Sequence, residues 1–194
     1  MSVVNTLDKV TEWVKENICS EIKLKMPPAD DRAPTDAGYD YVLVTPSAFP
    51  LFVPTSDKLP PGALSPFPSV CVRFLEGEES LTEHNSTIGL QLCFSTWSTG
   101  LHSEDIVDGA PNGKFTRNYD GWRDAWNFVD IALRKLGNST MVGGFELDRS
   151  VPIKFGPLTE QGAIVEAYPL WFAWISFSIK PPNRRFAEGF QNFL

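Results

Sequence analysis

Histidine and cysteine are scarce in this chain, and no stretch stays apolar for long. The 194 residues include two histidines and three cysteines. Cys19, Cys71 and Cys93 are odd in number and have no C-x-x-C spacing, which excludes a complete disulfide framework and a zinc-ribbon ligand set. Cys71 and Cys93 fall within strand-like runs, where buried free thiols in a reducing compartment are expected. His84 lies near Glu79 and Glu83, and His102 near Glu104, Asp105 and Asp108. These would gather a metal only if the two loops met in space, and the plainer reading is a pair of solvated acidic loops. G-x-S-x-G and H-E-x-x-H are missing, and Gly143-Gly144 lacks the rest of a phosphate-loop fingerprint. No cofactor is therefore expected.

No window approaches the ~20 apolar residues of a membrane span. The first twenty residues are amphipathic and carry acids, unlike a secretory leader. The sequons at Asn85 and Asn138 carry no meaning in a cytoplasmic protein. A net charge of −7 argues against general nucleic-acid binding, which needs a basic face. It leaves room for DNA that slides past without adhering.

What is present is patterned. Leu7, Val10, Val14, Ile18 and Ile22 recur at spacings of three and four, predicting a helix over 6–22 capped by Asn5 or Thr6. Residues 26–69 hold ten of the sixteen prolines, so neither a helix nor a central strand fits there. Two apolar islands, 41–44 and 49–53, predict short strands or extended arms packed on something. Val70, Val72 and Phe74 predict a strand ending in an acidic turn, Glu76–Ser80. Ile88, Leu90, Leu92 and Phe94 predict its antiparallel partner, running on to Trp97. Residues 98–118 are polar and aperiodic, and loops of that length are commonly functional or disordered.

A second helix follows, with Asp120 as cap, Trp122, Trp126, Val129, Leu133 and Leu136 as its stripe, and Gly137 as a left-handed stop. Trp122 and Trp126 read as core. Short strands are expected within 141–147 and 151–155. The stretch YPLWFAWISFSIKPP closes the pattern. Trp171, Ala173, Ile175, Phe177 and Ile179 share one face of a strand over 168–180, and Phe172 and Trp174 point the other way. The expectation is a single α+β domain over 1–194. It has an antiparallel or mixed sheet with two helices on one face, a proline-rich extended arm over 26–65, a sheet-plus-helix core over 66–182 and a tail over 183–194.

The order of these elements resembles the tail terminator, or tail completion, proteins of long-tailed bacteriophages, the small lambda-like members included. The positions that carry the likeness are the amphipathic N-terminal helix, Phe67-Pro-Ser-Val-Cys-Val-Arg-Phe74 running into Glu76-Gly-Glu78, Phe94-Ser-Thr-Trp97, Tyr119-Asp-Gly-Trp122, and Tyr168-Pro-Leu-Trp171 opening a strand that closes on Pro181-Pro182. The long region 26–65 departs from the shorter members. The resemblance implies a structural protein of the virion tail, assembled in the bacterial host cytoplasm. Such a protein forms a homo-oligomeric, six-membered ring on the tail tube and offers a joining surface to the head connector. DNA only passes through the ring, and no residue is catalytic.

On that reading Phe172, Trp174, Trp97, Phe49 and Phe52 are interface candidates, because exposed aromatics on strands mark contact surfaces. Glu76, Glu78, Glu79, Glu104, Asp105 and Asp108 are candidates for an acidic rim or pore that repels phosphates. Covering of Phe172 and Trp174 by the chain's own proline-rich arm is the competing account. Three other functions fit the same sequence: a head-tail connector or minor capsid protein, a small cytoplasmic enzyme or ligand-binding domain with its pocket under the arm, and a monomeric interaction module.

Overall fold

The computed structural model describes residues 2–27, 42–80, 85–99 and 119–181. Helix α1 spans Val3–Asn17 and continues as a 3-10 turn, Cys19–Glu21. It begins one turn earlier than the apolar spacing suggests. The cap is Ser2, whose Oγ accepts the Asn5 amide at 3.2 Å. Thr6, expected at the cap, is buried one turn inside the helix.

The strands are β1 Leu24–Met26, β2 Val42–Val44, β3 Ser47–Pro50, β4 Ser69–Ser80 and β5 Asn85–Trp97. Helix α2, Trp122–Asn138, follows. The chain then runs through β6 Met141–Val142, β7 Phe145–Leu147, β8 Lys154–Pro157, β9 Thr159–Glu160, β10 Ala163–Ile164 and β11 Leu170–Lys180.

Seven strands form the main sheet, in the order β3-β4-β5-β11-β7-β6, with β8 also paired to β11. All its pairings are antiparallel except β3 with β4. Strands β1 and β2 form a separate antiparallel pair, as do β9 and β10. Pro50 sits on β3, an edge strand, where its missing N–H breaks no ladder.

Period-two alternation decides what meets the helices. Val70, Val72, Leu90, Leu92, Phe94, Ala173, Ile175, Phe177 and Ile179 all face one way and are buried. Leu7, Val10 and Val14 of α1 and Ile18 at its C-terminal cap close over them, with Phe128, Val129, Ala132 and Leu136 of α2. Each large side chain so buried contributes about 1.5–3 kcal/mol. The Phe94 and Phe128 rings meet edge to face at 5.0 Å. The buried stripe of α2 is therefore rotated from the expected one. Phe128 takes the central place, Trp126 is half-buried, and Trp122 is 42% exposed with Arg123 over its ring.

Asp120 makes no cap for α2; it pairs with Arg123 instead, at 3.7 Å. Gly137 lies inside the helix, which ends at Ser139 in extended backbone. At the other end, a Cβ on Gly121 would overlap the Ser98 carbonyl and the Trp171 indole nitrogen. Glycine in Tyr119-Asp-Gly-Trp122 thus lets the helix start against the sheet. The Trp171 indole N–H donates to the Ser98 carbonyl at 2.8 Å. Nearby, the buried Lys25 ammonium donates to Ser98 Oγ at 2.9 Å and pairs with Asp124 at 3.3 Å, tying β1 to both β5 and α2.

Two features make sharp demands on single residues. Gly143 and Gly144 turn β6 into β7 with φ of +60° and +84°, and a Cβ on Gly143 would stand 2.7 Å from the Lys9 carbonyl of α1. Gly143→Ala is expected to cost about 2–3 kcal/mol in urea unfolding. Gly144→Ala, with open space around it, should cost only about 1 kcal/mol. Equal effects would mean that the hairpin does not press on the helix.

Asp148 accepts the Ser150 hydroxyl at 2.6 Å and the Ser150 amide at 3.0 Å, and pairs with Lys180 at 3.0 Å. The Ser150 hydroxyl, followed by Lys180, holds its carboxyl below the usual 3.8 against the opposing effect of burial. A folded-state pKa that is depressed adds stability above the unfolded value, and that stability drains away as pH falls through the folded one. Asp148→Asn should therefore be less stable than wild type near neutral pH. The two melting curves should converge as pH drops below 3.8.

Candidate functional site

The two sides of the sheet end differently. On the β3 side the chain leaves Pro50 through a tight turn in which the Phe52 amide donates to the Pro50 carbonyl at 2.8 Å. Leu51, at its centre, has a φ of +65°. An i to i+2 bond around a positive φ is the rare, strained form of γ-turn, and holding leucine there costs roughly 1–3 kcal/mol. The turn is pinned by the Leu51 amide, which donates to Val72 at 2.8 Å. Its effect is to present Leu51 at 53% and Phe52 at 68% exposure. Farther along the crossover to β4, Leu64 is exposed as well.

On the other side, β8 lies outside β11, with Phe155 exposed and Leu158 just beyond the strand. The Leu158 amide still donates to the Phe172 carbonyl, at 3.4 Å. The β9–β10 hairpin projects from there. Its turn, Gln161-Gly162, has φ of +50° and +84°, and Ile164 stands on it at 65% exposure. Four strand spacings separate β3 from β8, or about 19 Å at 4.8 Å each. The molecule therefore carries two different apolar patches on opposite edges of one sheet.

The interface candidates read from sequence fall into three groups. Phe52 is exposed at the first edge. Phe49 and Trp97 are 2% and 7% exposed and are covered within the chain, so neither offers a side chain to a partner; on them the expectation is corrected. Phe49 points away from the helices, opposite Cys71, because β3 lies parallel to β4 in that register. Phe172 and Trp174 are half-buried on the same outer face.

Strand β8 of the same chain holds Trp174. Its indole N–H donates to the Pro157 carbonyl at 2.9 Å, and its ring lies 3.3 Å from where a Cβ on Gly156 would stand. Glycine at 156 leaves the ring room; a Cβ there would press on it and make it give by a few tenths of an ångström. Among the described residues, the cover on Trp174 comes from β8.

Glu76, Glu78 and Glu79 belong to β4, which runs on through Ser80 instead of turning at Glu76. The register slips between Phe74 and Glu76, so Leu75 forms a bulge. The carboxylates then alternate between the two faces of an exposed hairpin end. Glu104, Asp105 and Asp108 lie outside the described residues, as do His84, His102, most of the polar loop 98–118 and the tail.

Among the described residues no group of three or more His, Cys, Asp or Glu could hold a metal ion, and no helix is long and apolar enough to cross a membrane. Burial pushes the Cys19 and Cys71 thiols up to about 12, which leaves little thiolate for nucleophilic chemistry. Compared with family models, with curated proteins and with solved structures, the chain matches none. The edge patches were only partly legible. Leu51-Phe52 after a proline and the turn pair Gln161-Gly162 are visible in sequence, but which edge each would occupy depends on strand order.

Trp174 thus has a part in the fold. Trp174→Asp is expected to lower stability by about 2 kcal/mol, because a half-buried ring and a hydrogen bond to β8 are lost together. Denaturant unfolding by circular dichroism reads this directly. Stability equal to wild type would return Trp174 to the set of free contact residues.

Proposed function

We propose that this chain is a structural ring protein of the phage tail-terminator type. It closes the end of the tail tube and presents a surface to the head connector. The observation that carries the reading is the pair of unlike apolar edges, Leu51 and Phe52 on one side and Phe155, Leu158 and Ile164 on the other. A closed ring is built by heterologous contacts, in which one patch meets a different patch on the next subunit. Two patches on opposite edges of a sheet are what such a contact needs. Burying Phe52 and Ile164 in each contact supplies roughly 1.5–3 kcal/mol apiece, repeated around the six-membered ring that the family resemblance implies.

The strained turn at Leu51 supports the same reading, since strain of that kind persists where the displayed residues have work to do. The acidic hairpin end, with Glu76, Glu78 and Glu79 exposed, suits a rim past which DNA slides without sticking. The work is association, with the tail tube, the connector and further copies of the chain as partners. Its place is the virion tail, reached by assembly in the bacterial host cytoplasm. No catalytic step is assigned.

Size-exclusion chromatography with light scattering, with and without tail tubes, tests the arrangement. Phe52→Asp and Ile164→Asp should each stay folded and each fail to form rings. Mixed together, they should stop at heterodimers, because each variant supplies one intact patch and one broken patch. Rings that survive either substitution, or dimers formed by one variant alone, would refute head-to-tail contact through these edges.

A further inference from the structure

Phe49, Cys71, Cys93 and Trp174 occupy one register row across β3, β4, β5 and β11. All four belong to the outer face, away from the helices. Cys71 and Cys93 are direct opposites on antiparallel strands, with an aromatic residue on either side. Directly opposed residues of such a pair have Cα atoms about 4.5–5.5 Å apart. A disulfide needs roughly 4.4–6.8 Å, so the backbone already holds the two thiols at bonding range. The third thiol cannot compete, because Cys19 is buried in the core between α1 and the sheet, on the opposite face.

The two thiols are unlike. Cys71 is 4% exposed. Burial first, and the neighbouring Cys93 second, push it up to about 12. Cys93 is partly open to solvent, and its thiol donates to Gln91 Oε1 at 3.5 Å. Burial raises Cys93 as well, but the Arg73 guanidinium hydrogen-bonds its sulfur and opposes the rise. A cation beside a partly open thiol favours it as the attacking sulfur, and a covered neighbour is placed to resolve the product.

We propose that Cys71 and Cys93 form a reversible redox pair, which a hydroperoxide closes into a disulfide across β4 and β5. The Cys93 sulfur attacks one peroxide oxygen. The O–O bond breaks, a sulfenic acid forms, and the thiol proton leaves in the first water. The Cys71 sulfur then attacks the Cys93 sulfur. The S–S bond forms, the S–O bond breaks, and the Cys71 proton leaves in the second water. Both sulfurs are oxidised and both peroxide oxygens are reduced. The bond encloses twenty-one residues, including the acidic hairpin end with Glu76, Glu78 and Glu79. In a reducing compartment the pair stays open, and under oxidation it staples the hairpin. The inference does not depend on the ring.

Hydrogen peroxide added to the folded, full-length chain tests it. Free thiols counted afterwards in denaturant should fall from three to one, with a mass lower by two hydrogens. Peptide mapping without reductant should join the Cys71 and Cys93 peptides and leave Cys19 free. The urea midpoint of the oxidised chain should rise by about 1 M, and dithiothreitol should reverse the shift. Cys19→Ala should still close the bond, and Cys93→Ser should not. Cys93 carried to sulfinic acid while Cys71 stays free would overturn the pairing, as would a bond to Cys19 or between two chains. A closed bond that leaves the midpoint unmoved would overturn the stapling. The mapping is done on wild type, so the outcome does not rest on any variant folding.

Discussion

Leu92 and Ile175 sit side by side on adjacent central strands, and keeping their face of the sheet dry is the constraint on which everything else depends. Strand backbones alternate their side chains, so a wholly apolar face on β4, β5 and β11 demands a cover. Helices α1 and α2 supply it with two complementary stripes. The close approaches follow from this. Glycine at 121 lets α2 begin against Ser98 and Trp171, and glycine at 143 lets the β6–β7 hairpin come up to α1. The partly buried Lys25–Asp124 pair belongs to the same closure, holding the first short strand to the helix layer.

One covered face leaves the rest of the sheet to other uses. The outer face is shielded unevenly. Phe49, Cys71 and Trp97 are buried there, and Phe172 and Trp174 are half-open, with Trp174 held by β8. Exposed apolar side chains stand at both edges, in a strained turn and on a projecting hairpin. An edge is where a sheet meets a neighbour without disturbing its own core. That arrangement favours a protein that works by contact, and it is the physical basis for the ring reading.

Much of the fold was legible because period two and period 3.6 survive in the sequence wherever a face is buried. Both helices, the β4–β5 hairpin and the last strand lie where that spacing puts them, within a turn or so. The errors have physical causes. Glu76–Ser80 looks like a turn because it is acidic and contains glycine, yet a solvated hairpin end needs no apolar residues, and the bulge at Leu75 hides the alternation. Trp122 counts as apolar in any stripe, but it lies at the exposed start of α2 while Phe128 takes the core. Gly137 resembles a stop signal, and the helix simply continues one residue past it.

The candidate site was less legible than the fold, for a related reason. Sequence by itself determined that the chain is α+β, that one sheet face is wholly apolar, and that the acids gather near the hairpin. Those properties depend on neighbours within a few positions along the chain. Tertiary structure alone decided that Phe49 and Trp97 are covered, that β8 holds Trp174, and that Leu51-Phe52 and Ile164 stand on opposite edges. Strand order pairs residues as far apart in sequence as Ile88 and Ile179, and no local periodicity records which strands become neighbours.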